Sequence, residues 1–172
     1  MRKISQENDY WQIALIFFFV FLYFKFIYYL RPNPYPATFI FIIFILNFCL
    51  TVLFFYLLNS RVNRNIKLSS FIFTFTYSLF PTLIWFIANS FLYLLIPPPR
   101  TLSILGRVFS IFFISFSVSL LIWKIILVYL AIRFSSKLNF YRIIYSIFLY
   151  LCLLLPYSVF LYQLKIFRIP FI

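Results

Sequence analysis

The sequence predicts an all-α fold, a polytopic membrane helix bundle of five transmembrane helices forming a single integral-membrane domain over residues 1–172. Three observations predict it. Of the 172 residues, 66% are hydrophobic and only 10% are charged, whereas soluble chains carry about 45–50% apolar and ~25% charged residues. A soluble core has no room for so much apolar surface, so lipid must be the solvent for most of it. Next, five apolar runs each reach the ~20 residues needed to cross a hydrocarbon core of ~30 Å. Finally, the segments between the runs are proline stops or polar, basic stretches.

The first span is expected at about 11–30, from Trp11 to Leu30, and stops at RPNPYP (31–36). It does not read as a cleaved signal peptide, because its flank ISQEND is acidic and polar and its end YYLRPNP lacks a small-residue cleavage pattern. The second, 37–58, runs from Ala37 to Leu58 and is followed by the basic NSRVNRNIK (59–67). The third, 70–96, carries Pro81, which has no N–H for the carbonyl one turn back, so a kink near Tyr77 is expected. It ends at PPPR (97–100), and the polar RFSSKLNFYR (133–142) then separates the fourth span, 108–132, from the fifth, 143–164.

Between helices in lipid, small and mildly polar residues mark the contact face. In the fourth run Ser103, Ser110, Ser117, Lys124 and Ala131 recur every seven residues, with Gly106 on the same line. Seven residues are nearly two helical turns, so these residues form one stripe. Lys124 is therefore expected to start inside the bundle. In the third run Thr74, Ser78, Pro81, Trp85, Ala88 and Asn89 share a face, and in the second Asn47 and Thr51 lie one turn apart. In the fifth, Tyr145, Leu149, Cys152 and Pro156 recur at helical spacing. Lys124, Asn47, Thr51, Ser78 and Ser117 form the candidate polar intramembrane cluster, since an ammonium at that depth needs acceptors or a route to the surface. Lys25, five residues before Leu30, is expected to reach for that end of its helix. Cys49 and Cys152 read as small buried hydrophobes without metal-ligand spacing.

Function classes are narrowed by what is missing. The chain has no histidine, and its only acids, Glu7 and Asp9, precede the first run. It carries no GxSxG, no HExxH and no glycine-rich phosphate loop. No catalytic residue, cofactor or metal is expected, and a proton relay built from carboxylates or imidazoles within the spans is excluded. The net charge of +13 sits in short loops between apolar runs, which suits anionic lipid headgroups and offers no folded basic surface for nucleic acid. One side receives Arg2, Lys3, Arg61, Arg64, Lys67, Arg133, Lys137 and Arg142; the other receives Arg31, Arg100, Arg107, Lys165 and Arg168. That bias predicts a cytoplasmic N-terminus and an outside C-terminus.

The stretch TFTYSLFPTLIWFIANSFLYLL (74–95), followed by LLIWKIILVYLAIRFSSKLNFYRIIYSIFLY (120–150), resembles the Yip1 family. In that family a Y-S/A-x-x-P element opens a central span, matched here by Tyr77, Ser78 and Pro81. A later span carries a Trp before a run ending in a basic, Ser-containing loop, matched by Trp123 to Arg133. The resemblance implies five spans, a cytosolic N-terminus and the short, bacterial-type form of the family. The expected function is that of a non-enzymatic multi-pass membrane protein acting by helix packing with membrane partners or lipid. The alternatives are a small hydrophobic subunit of a larger membrane complex, such as an organelle-encoded respiratory-type assembly, and a lipid or small-molecule transporter using Lys124.

Overall fold

A computed structural model describes residues 10–30, 33–62, 66–95 and 104–166. Ser103, the PPPR stop and the loop charges Arg2, Lys3, Arg31, Arg64, Arg100 and Arg168 lie outside the described residues. The helices are α1 (Tyr10–Leu30), α2 (Ala37–Ser60), α3 (Leu68–Tyr77), α4 (Phe80–Leu95), α5 (Ile104–Ser136) and α6 (Phe140–Gln163). With α3 and α4 counted as one broken span, five segments are long and apolar enough to cross a membrane. β-branched and aromatic residues are mediocre helix formers in water. In hydrocarbon the backbone has no water to bond, so the helix, which satisfies its own N–H and C=O groups, is the available answer.

Side-chain pairs show that consecutive spans alternate in direction. Along α1 and α2, Phe17 meets Phe48 and Phe24 meets Phe44, with centroids 5.1 and 5.7 Å apart. Phe55 and Tyr56 of α2 meet Phe75 and Phe71 of α3 at 5.2 and 6.1 Å. Against α5 the third span runs antiparallel, Thr74 facing Ser135 and Trp85 facing Ser117. It runs parallel to α1, with Tyr10 on Phe73 and Tyr23 on Phe86. The third span is the hub, packed on α1, α2 and α5.

The expected kink is a two-residue interruption of the helix. α3 ends at Tyr77 and α4 starts at Phe80. Across the gap Ser78 N–H is shared between Thr74 O at 3.2 Å and Phe75 O at 3.0 Å, and Leu79 N–H makes a 3₁₀ bond to Thr76 O at 3.1 Å. Pro81 is buried, so the break faces the bundle. Thr74, Ser78 and Asn89 are buried and Trp85 and Ala88 half-buried, as their shared face requires.

The break also separates two hydrophobic cores. One gathers Ile16, Val20, Phe24, Ile40, Phe44, Leu79, Phe86 and Leu161 around α1, α2, α4 and the end of α6. The other gathers Val52, Phe55, Phe71, Phe75, Ile132, Ile143 and Ile147 around α2, α3, α5 and α6.

The helices end without glycine. α6 closes in a Schellman turn, Ile166 N–H reaching Leu161 O at 3.2 Å and Lys165 N–H reaching Tyr162 O at 2.9 Å. The left-handed position is held by Lys165, with φ of 60°. α5 likewise stops on Lys137, with φ of 54°, whose N–H bonds Arg133 O at 3.0 Å. The fourth span is thus longer than expected, 33 residues ending at Ser136. Arg133, Phe134 and Ser135, expected in a loop, are helical because nothing before Lys137 stops the helix.

Three expectations are corrected. On α6, Tyr145, Cys152 and Pro156 are exposed and only Leu149 is half-buried; the inward line is Ile143, Ser146, Ile147, Ser158 and Leu161. Pro156 leaves α6 unbroken in register from Phe140 to Gln163. Cys49 and Cys152 are free and exposed, pointing outward where a small apolar thiol sits as comfortably as in a core. Lys25 does not reach for the end of α1. Its Nζ lies 5.3 Å from the Phe21 ring centroid, one turn back, because the Cα–Cβ bond leans toward the helix N-terminus.

Candidate functional site

The inward line of α5 is the one its seven-residue spacing predicts. Gly106 and Ala131 are buried, and Ser110, Ser117 and Lys124 are half-buried between exposed flanks. Ser117 Oγ accepts from Trp85 Nε1 at 2.9 Å and donates to Phe113 O at 2.7 Å. Toward the other end, Ser135 Oγ lies 2.8 Å from Thr74 Oγ1 and donates to Ser70 O at 3.2 Å. Lys124 lies between these two ties on α5 and on nearly the same face. It is therefore level with the stretch between Thr74 and Trp85, which contains the break. No described residue hydrogen-bonds to Lys124 or forms an ion pair with it.

The other members of the predicted cluster are engaged elsewhere. Thr51 Oγ1 donates to Asn47 O at 2.8 Å, so its 2.8 Å contact with Tyr150 Oη is donated by the tyrosine. Asn47 Oδ1 accepts from Tyr157 Oη at 2.8 Å. Both pairs join α2 to α6, away from the α5 line on which Lys124 sits. Ser78 Oγ donates to Phe75 O at 2.7 Å, covering a carbonyl at the break. The structure thus brings Asn47 and Thr51 together and ties Ser117 to α4, without hydrogen-bonding any of them to Lys124.

Sequence reasoning missed the tyrosine partners. Tyr150 and Tyr157 pin α6 to α2, and Tyr23 Oη accepts from Asn89 Nδ2 at 3.0 Å while its ring stacks on Phe86 at 3.8 Å. The available signal was a mid-span phenol facing a mid-span Thr or Asn at matching depth in a neighbouring span. Ser70 and Ser135 were missed because Ser135 read as loop.

Chemically, this is a set of satisfied interhelical hydrogen bonds plus one cation beside a helix break. Among the described residues no group of histidine, cysteine and carboxylate side chains is placed to hold a metal ion. No protein-family model, no curated protein and no solved structure matches the chain.

Proposed function

We propose that the chain is a non-enzymatic, Yip1-like multi-pass membrane protein that acts by packing its helices against a membrane partner or lipid. The supporting observation is how its intramembrane polar groups are used. Tyr150 with Thr51, Tyr157 with Asn47, Trp85 with Ser117 and Asn89 with Tyr23 each tie one helix to another. Residues committed to such ties serve architecture. Outward, α5 presents Phe112, Ile122 and Ile126, each at least half exposed in the isolated chain. The Lys and Arg bias of the loops supports a cytoplasmic N-terminus, with anionic headgroups meeting the basic loops.

Two experiments test this. Reporter fusions at Arg61 and Lys165 should read opposite sides of the membrane, the first cytoplasmic. A photoreactive amino acid at Ile122, activated in native membranes, should give discrete adducts with a membrane protein or with lipid. Purification in gentle detergent as a fixed-stoichiometry multi-subunit assembly would instead favour the small-subunit alternative.

A transporter is the second reading, supported by Lys124 lying unpaired, among the described residues, beside a broken helix. Half-helix ends near mid-membrane are where carriers hold ions and substrates. Lys124→Leu chain that still inserts and folds should lose vesicle uptake of an anionic solute if this reading holds, and should behave as wild type under the packing reading.

A further inference from the structure

We infer that the crevice between α1 and α4 is a binding site for a single acyl chain of a membrane phospholipid. The inference goes beyond the packing role and does not depend on it, needing only that α1 and α4 cross hydrocarbon. The crevice has a volume of about 550 Å³ and starts at Phe80, immediately after the break, reaching Leu94 along α4 and running from Leu15 to Phe26 along α1. Its floor is the Tyr23–Phe86 stack, with rings 3.8 Å apart and 5° from parallel. The bond from Asn89 to Tyr23 holds that floor in place.

The dimensions select the occupant. Fourteen residues of α4 separate Phe80 from Leu94, about 21 Å of helix, so the 550 Å³ corresponds to a mean cross-section of about 26 Å². A transmembrane helix 10–12 Å across needs about 80–110 Å² and could only rest side chains in it. A polymethylene chain, its thickness set by carbon–carbon contacts of 3.5–4.0 Å, needs only about 20 Å². The crevice is longer than the about 15 Å of hydrocarbon that one leaflet contributes, so a whole lipid tail can lie along it. Chemistry agrees: the polar atoms on the walls are already occupied, Ser90 Oγ donating to Phe86 O at 2.8 Å and Tyr23 Oη accepting from Asn89. At the Phe80 end the next span segment closes on α1 through the Tyr10–Phe73 ring contact at 5.2 Å. The chain therefore enters from the leaflet at the C-terminal ends of α1 and α4, with its methyl end toward the break.

The test uses the full chain in phosphatidylcholine nanodiscs containing trace phosphatidylcholine with a photoreactive diazirine in one acyl chain. After irradiation, adducts are mapped by mass spectrometry. Labelling at Leu22, Leu83 and Ile87 should exceed that at the well-exposed Phe112 and Ile122 by about tenfold, corresponding to about 1.4 kcal/mol of preferential occupancy. A diazirine near the chain terminus should label nearer Phe80, and one near the ester nearer Leu94. Leu83→Trp, checked for folding by circular dichroism, should remove the excess. Labelling in proportion to exposure over all helices would overturn the site, whether or not the variant folds. So would an unchanged excess in a folded Leu83→Trp chain, a reversed order of labelling, or displacement of the probe by palmitate as readily as by unlabelled phosphatidylcholine.

Discussion

Replacing Lys124 with leucine should stabilise the inserted chain. α5 has 33 residues, about 50 Å of helix against a hydrocarbon core of about 30 Å, so an untilted α5 overhangs by about 20 Å. With the overhang shared between its ends, Lys124, twelve residues before Ser136, has its α-carbon about 8 Å below the nearer hydrocarbon boundary. A lysine stem of about 6 Å nearly spans that distance when it snorkels. Here, however, the Cα–Cβ bond leans toward Ile104, away from the nearer boundary, so only part of the reach is gained. A central lysine costs ~2.5–3.5 kcal/mol on insertion scales, and partial snorkelling leaves about 1–3 kcal/mol of that in place. No described residue bonds the ammonium, so Lys124→Leu removes this cost without breaking a visible contact. The assay is reversible unfolding of the purified chain by sodium dodecyl sulfate in mixed micelles, together with the inserted fraction of α5 in a glycosylation-tagged host. Stability and insertion should rise together. A loss of more than about 1 kcal/mol, outside the error typical of a neutral surface change, would mean that Lys124 makes a contact stronger than its burial is costly, and the reasoning would be wrong.

Thr51→Val, Tyr150→Phe and the double variant should give a coupling energy of about 0.6 kcal/mol and no more than about 1.7 kcal/mol, the mean and maximum for polar contacts between membrane helices; zero coupling in the same unfolding assay counts against the α2–α6 tie. Pro81→Leu should restore a continuous third span, so spin labels at Ile72 and Ile87 should move toward the ~22 Å of a straight helix, with no change if the break has another cause. Lys165→Gly should stabilise the Schellman turn by about 1 kcal/mol, because a left-handed position penalises any side chain, and an unfolding titration insensitive to the change would contradict that geometry.

The spans were legible because run length and proline are coarse signals that lipid makes decisive. Trp11 to Leu30 needs no partner to be a helix. Pro81 breaks its span by covalent structure alone. The α5 line was legible too, since Gly106, Ser117 and Ala131 are the positions at which helices come close. The α6 face was not. Tyr145, Leu149, Cys152 and Pro156 satisfy the same small-or-polar rule, but in hydrocarbon neither a thiol nor an exposed proline is driven inward. What orients α6 is Tyr150 meeting Thr51 and Tyr157 meeting Asn47, a match of depth between two spans that one helix read alone does not contain. Lys25 turns the other way for a reason that is local and general, the lean of Cβ toward the helix N-terminus.

The two residues between α3 and α4 make the central span a joint between separate packing blocks. Phe71 and Phe75 belong to one block, Leu79 and Phe86 to the other. An unbroken rod through the middle of the bundle would carry a tilt imposed at one membrane face straight to the opposite face. Here a tilt of α3 can be taken up at Ser78 and Leu79, where 3₁₀ bonds join a thinned α ladder. α2 and α6 run unbroken through both blocks, with Phe44 and Leu161 in one and Phe55 and Ile147 in the other, so the joint lets the central span change its angle only as far as those two continuous helices allow.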